Sequence, residues 1–156
     1  MWLEGSALGQ LMRTSGVWTY GVVNLAHILG IATLFGSVLV LDLRLLGAWG
    51  RVPLAALETP ALTLAACGFA LAIGSGVALI TTNATEYVGN PFLPIKFTAI
   101  GLGLANIILV QFLPAWRARA AEPQDGRRRL ALKLVGGTSL ACWTVAVAAG
   151  RMIGYW

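Results

Sequence analysis

Charge is scarce in this sequence. Of its 156 residues 11% are charged, with six acids in the whole chain and one histidine, where a soluble domain carries about 25% charged residues. So few ionisable groups leave no carboxylate pair, no Ser-His-Asp set and no HExxH zinc motif to assemble, and there is no glycine-rich phosphate loop. The common routes to hydrolysis and phosphoryl transfer are thereby removed, and catalysis by this chain alone is not expected. Cysteine is scarce too. Cys67 and Cys142 fall in apolar segments with no neighbouring Cys or His at a metal-site spacing, and both read as small buried hydrophobes. Met1, Met12 and Met152 form no repeated motif of the kind that gathers soft Cu(I).

Apolar residues fill the space that charge leaves. They make up 58% of the chain, the mean hydropathy is +0.78, and four stretches, roughly 17 to 41, 61 to 82, 97 to 116 and 130 to 150, each reach the ~20 residues needed to cross a hydrocarbon core. Backbone groups inside a bilayer must bond within their own segment, and the abundant Leu, Ala and Val suit helices better than barrel strands. The expected architecture is all-α: an integral membrane antiparallel four-helix bundle, one domain over 1–156. The first sixteen residues hold an acid and one arginine, unlike a cleavable signal peptide. Trp2, Leu3, Leu8, Leu11 and Met12 fit one side of a short N-terminal interfacial helix.

Orientation follows from the basic residues. Arg44, Arg51, Arg117, Arg119, Arg127, Arg128, Arg129 and Lys133 fall on one side of the expected bundle, against Arg13, Lys96 and Arg151 on the other. The positive-inside rule puts the first group in the cytoplasm and both termini outside. The pI of 9.9 follows from this layout, with the basic loop lying against anionic headgroups. The charges lack interleaved aromatics, so no nucleic-acid partner is expected. Trp18, Tyr20, Tyr87, Tyr155 and Trp156 should form the outer aromatic belt, with Trp49 and Trp116 in the inner one.

Helix contacts are foreshadowed by small residues. Gly68, Ala72 and Gly76 recur every four positions on the second span and Gly101 with Ala105 on the third, marking faces for close packing in the bundle or in an oligomer. Gly136 and Gly137 should loosen the start of the fourth helix, while Pro53, Pro60, Pro91, Pro94 and Pro114 mark loops and span ends. Asp42 and Arg44 point to different sides of a helix, with Lys133 and Glu58 as the expected partners.

The residue that most invites chemistry is His27, in the outer half of the first span, where an imidazole is costly without a partner. It shares a helix face with Asn24, Gly30, Ile31 and Leu34, and Gly30 would leave room for a flat object against the backbone. Three roles are open to it: a hydrogen bond to a neighbouring helix, ligation of haem or a metal, and proton handling. Lys96 and Arg151 come to the same boundary, near Asn83, Glu86, Tyr87 and Asn90. They read either as holders of haem propionates, a quinone headgroup or an anionic lipid, or as long basic chains snorkelling to water. The candidate ligand-binding set is His27, Lys96, Arg151, Asn24 and Tyr87, with His27 as the metal ligand.

His27 followed by Gly36, then Asp42-Leu43-Arg44-Leu45-Leu46-Gly47, Asn90-Pro91-Phe92 leading to Lys96, and Gly150-Arg151-Met152-Ile153-Gly154-Tyr155 together resemble a family of small, largely uncharacterised bacterial four-helix inner-membrane proteins. The resemblance covers nearly the whole chain. More distantly, a histidine in a first span with a glycine-rich continuation is similar to the membrane domains of copper-resistance D proteins and to small cytochrome b-like bundles. These likenesses imply a bacterial cytoplasmic membrane and a connection to haem b or copper, and no known reaction. Bis-histidine bundles use two ligands per haem, so the lone His27 implies an open position, Met152, or a second copy of the chain. Two functions are therefore expected as alternatives. One is binding of haem or another redox ligand at His27; the other is a non-catalytic accessory subunit, packed by its small-residue faces into a homo-oligomer or larger membrane complex.

Overall fold

A computed structural model describes residues 5–82, 84–117 and 126–156. Trp2, Leu3, Asn83 and Arg119 lie outside the described residues, as does the side chain of Glu86. The chain runs α1 (Ala7–Thr14), α2 (Val17–Leu46), α3 (Leu54–Thr82), α4 (Phe92–Val110), the short α5 (Pro114–Arg117) and α6 (Gly126–Met152), with 3-10 turns at Ala84–Tyr87 and Ile153–Tyr155. Four of the helices are long and apolar enough to cross a membrane, which makes this a bundle of membrane-spanning helices by length and composition. At 30 residues, α2 is about 45 Å long and exceeds the hydrocarbon thickness.

Local chemistry sets the ends. Ser6 caps α1 by accepting from the Gly9 amide at 3.2 Å. Gly47, at a φ of 115°, takes the left-handed conformation that ends α2, while the Ala48 amide reaches back to the Leu43 carbonyl at 2.9 Å, as glycine does past a helix end. Asn90 starts α4 by accepting from the Phe92 amide at 3.0 Å. Pro60 lies inside α3 rather than at a span end: the helix-favouring run Leu54 to Thr59 begins the helix before the proline. Gly136 and Gly137 loosen nothing, because α6 runs unbroken through them.

The helices pack as two antiparallel pairs, α2 with α3 and α4 with α6, joined along α2 and α6. The α2–α3 contact is close because of glycine. A Cβ on Gly30 would sit 2.7 Å from the Ala72 nitrogen, and one on Gly68 would sit 2.5 Å from the Leu34 nitrogen, so the two backbones nearly touch. Gly30 thus makes room for α3 and not for a ligand, and Gly68 and Ala72 spend their face inside the bundle. Gly101 and Ala105 are exposed, and Gly101 has open space beside it. The α4 residue that does admit a neighbour is Gly103, whose Cβ would meet the Trp143 indole at 3.2 Å.

Other side chains also depart from expectation. Trp116 is buried, at 4% exposure, in a cluster with Leu41, Leu45, Leu54 and Leu132 instead of standing in an aromatic belt. Cys67 is exposed on α3. In lipid, unlike water, an outward thiol forfeits no hydrophobic burial. The α1 helix buries Met12, leaves Leu8 and Leu11 exposed, and is tied to the end of α3 by Arg13, which donates to the Thr82 carbonyl at 3.4 Å. Arg44 donates to the carbonyls of Val52 (2.8 Å) and Gly50 (3.5 Å), closing its own loop in place of a bridge to Glu58.

Candidate functional site

His27 stands one turn before Gly30 on α2 and therefore faces α3. What makes room for its ring is Gly76: a Cβ there would lie 3.0 Å from Cε1 and 3.4 Å from Nδ1. The ring's Nδ1 is 2.9 Å from the Ala72 carbonyl oxygen and 3.1 Å from Ser75 Oγ. Ser75 gives its own proton to the Leu71 carbonyl at 2.6 Å, so toward His27 it can accept, as Ala72 must. Two acceptors at Nδ1 place the proton there. In the neutral ring, Nε2 then carries the lone pair, and it has no hydrogen-bond partner among the described residues. A backbone carbonyl holding one ring nitrogen while the other stays basic is the arrangement that orients metal-binding histidines.

The ring borders a cavity of about 810 Å³ in this half of the bundle, within the size range of pockets that enclose a cofactor. Asn24, Tyr87 and Asn90 line it with His27, and Phe69 and Trp143 belong to its wall, meeting edge to face at 6.1 Å. Lys96 enters from α4. Its stem lies along α6 at Gly150, where a Cβ would come within 3.4 Å of Nζ. Asn90 ties the end of the bundle together by donating to the Ile153 carbonyl at 3.3 Å, and Trp156 packs on Phe92 at 6.2 Å.

Of the residues singled out in the sequence, His27, Lys96, Asn24 and Tyr87 all line this cavity. Arg151 does not. It is exposed, its guanidinium lies 4.6 Å from the centre of the Tyr155 ring, and it bonds the Tyr155 hydroxyl. Met152, at 43% exposure, is likewise outside the lining. Sequence reasoning missed the Ala72 carbonyl, Ser75 and the two glycines at 76 and 150. Ser75 carried a readable signal, since a hydroxyl in mid-span must bond to something.

One family model matches the chain from residue 1 to residue 156, its full length. The chain belongs to DUF6644, a family of unknown function. That membership agrees with the resemblance to an uncharacterised family. No match was found among curated proteins or among solved structures.

In this DUF6644 bundle no three His, Cys, Asp or Glu side chains among the described residues come together to hold a metal ion. Among the described residues His27 thus lacks two further such side chains to complete a metal site, which suits a metal that brings most of its own ligands, as the iron of a porphyrin does. The other buried polar pair lies toward the opposite end. Asp42, 3% exposed, lies near Ser139 of α6 and not in a bridge to Lys133, and its Oδ2 has no partner among the described residues. Gly136 permits this approach, since a Cβ there would lie 3.0 Å from the Asp42 carbonyl oxygen.

Proposed function

We propose that this protein binds haem b in the cavity beside His27, in the outer half of a bacterial cytoplasmic membrane. The observation that carries the reading is the fixed imidazole: Nδ1–H rests on the Ala72 carbonyl, Nε2 has no hydrogen-bond partner among the described residues, and His27 lines a largely apolar cavity of about 810 Å³. Nε2 would hold the iron, and Lys96, Asn24 and Tyr87 would supply polar contacts for the haem's acidic edge. Bound haem would bring one-electron chemistry. The chain's own part is to hold the iron, neutralise a propionate and keep water away from the macrocycle.

Protein purified in mild detergent from haem-replete cells should show a Soret band and iron by elemental analysis. His27→Ala should abolish both while leaving the helical circular dichroism signal, because the mutation removes one hydrogen bond of about 1 kcal/mol. A colourless wild-type protein, or a band that survives His27→Ala, would overturn the reading and favour the accessory-subunit alternative.

The same proposal places the basic 117–129 connection in the cytoplasm and both termini outside, on eight basic residues against three and the positive-inside rule. Alkaline phosphatase fused within 117–129 should be inactive in whole cells, and fused after residue 156 it should be active. The reverse pattern would turn the cavity toward the cytoplasm.

A further inference from the structure

We infer that this cavity is loaded sideways, from the surrounding lipid leaflet, through a seam between α3 and α4, by amphiphiles that carry a carboxylate. The inference rests on the haem reading for the identity of the ligand, but the seam has its own geometry. Around the bundle α3 packs on α2, α2 on α6 and α6 on α4, whereas α3 and α4 scarcely touch. Side chains that line the cavity along those two edges are also half exposed on the outside of the molecule: Ile73 at 50% and Val77 at 51% on α3, and Phe97 at 52% on α4. They present an apolar doorway, and in a bilayer what stands outside it is acyl chain.

The two ends of the cavity are closed by comparison. Toward the membrane surface lie Asn90, bonded to Ile153, and Trp156 against Phe92. Toward the bundle centre, Phe69 and Trp143 join one buried cluster with Leu34 and Val38. Charge selects the class of ligand. The Lys96 ammonium lines the cavity with no hydrogen-bond partner among the described residues, and a cation in so apolar a site calls for an anion. A flat or long apolar body with a carboxylate at one edge or end fits both the doorway and the ammonium.

The test uses full-length apoprotein in vesicles, offered haemin either dissolved in donor vesicles or bound to serum albumin in water. Val77→Trp and Phe97→Trp should each slow growth of the Soret band from lipid donors about tenfold, equivalent to a barrier raised by about 1.4 kcal/mol. Ile108→Trp is also exposed on α4 but outside the cavity lining, and should load at the wild-type rate. Equal rates for all three variants, or faster loading of the wild type from albumin than from lipid, would overturn the seam. Should the wild type bind no haem, the haem reading falls and spin-labelled stearate in the same vesicles decides the inference. An immobilised component in its electron paramagnetic resonance spectrum, reduced by Val77→Trp and by Lys96→Gln, would support lateral entry of a carboxylate amphiphile. Absence of that component would overturn it.

Discussion

Gly68→Leu should leave no stably folded bundle, and Gly68→Ala should already be measurably destabilised. The reason is the identity of the atoms it meets. Overpacking that displaces flexible side chains costs about 1–3 kcal/mol, but a Cβ on Gly68 would come within 2.5 Å of the Leu34 nitrogen and 2.8 Å of the Gly30 carbonyl oxygen, and backbone cannot step aside. The whole of α2 must move away from α3, which also pulls the Ala72 carbonyl from His27. Native domains hold about 5–15 kcal/mol in total, so the extra bulk of leucine consumes a large part of it. Gly74 is the control on the same helix: it has nothing within 4 Å of its Cβ position, and Gly74→Ala should be neutral or slightly stabilising through helix propensity. Unfolding by sodium dodecyl sulfate, followed by circular dichroism, checks the pair. Equal midpoints for Gly68→Ala and Gly74→Ala would show that the α2–α3 approach is looser than 2.5 Å implies.

This contrast between two glycines on one helix shows what hydropathy reveals and what it conceals. The extent of each span is legible, because about twenty apolar residues between polar ends specify where a membrane-crossing segment begins and stops. His27 and Lys96 could therefore be placed at one level of the bundle from sequence alone, and both line the cavity. The direction in which a residue points around its helix is not legible. Lipid-facing and protein-facing sides are equally apolar, so the amphipathic signal that orients a helix in a soluble protein is missing. For that reason Gly30 read as space for a ligand although it is filled by α3, and Gly101, read as a contact within the bundle or an oligomer, makes none within the bundle.

Arg151 shows the same gap at a membrane boundary. It shares the end of the bundle with Lys96, yet it turns outward onto Tyr155, which the sequence marks as an aromatic of the outer belt and not as a partner for Arg151. Ser75 and Ser139 show where more could have been read. A polar residue within a span marks an inward face. Applied to Ser75, that rule orients α3 with Ala72 and Gly76 toward a neighbour, and His27 is the polar group available on the preceding helix.

Trp143→Ala should be the most damaging truncation in the cavity wall, at about 3–5 kcal/mol. Trp143 is 3% exposed, fits the notch left by Gly103 and meets Phe69 edge to face, so it links α6 to α4 and to α3. In lipid the gain from leaving water is absent, but the lost contacts and the residual hole remain. Trp143→Phe separates packing from polarity. The indole Nε1 is buried with no hydrogen-bond partner among the described residues, and a lone buried donor is a cost that phenylalanine removes. Phenylalanine keeps a ring against Phe69, so this variant should lie within about 1.5 kcal/mol of wild type, as volume-conserving swaps do. Dodecyl sulfate unfolding midpoints for the two variants test the assignment. A Trp143→Phe loss as large as that of Trp143→Ala would mean that Nε1 has a partner, a water or a bound ligand in the cavity, and would make the indole part of the site rather than its floor.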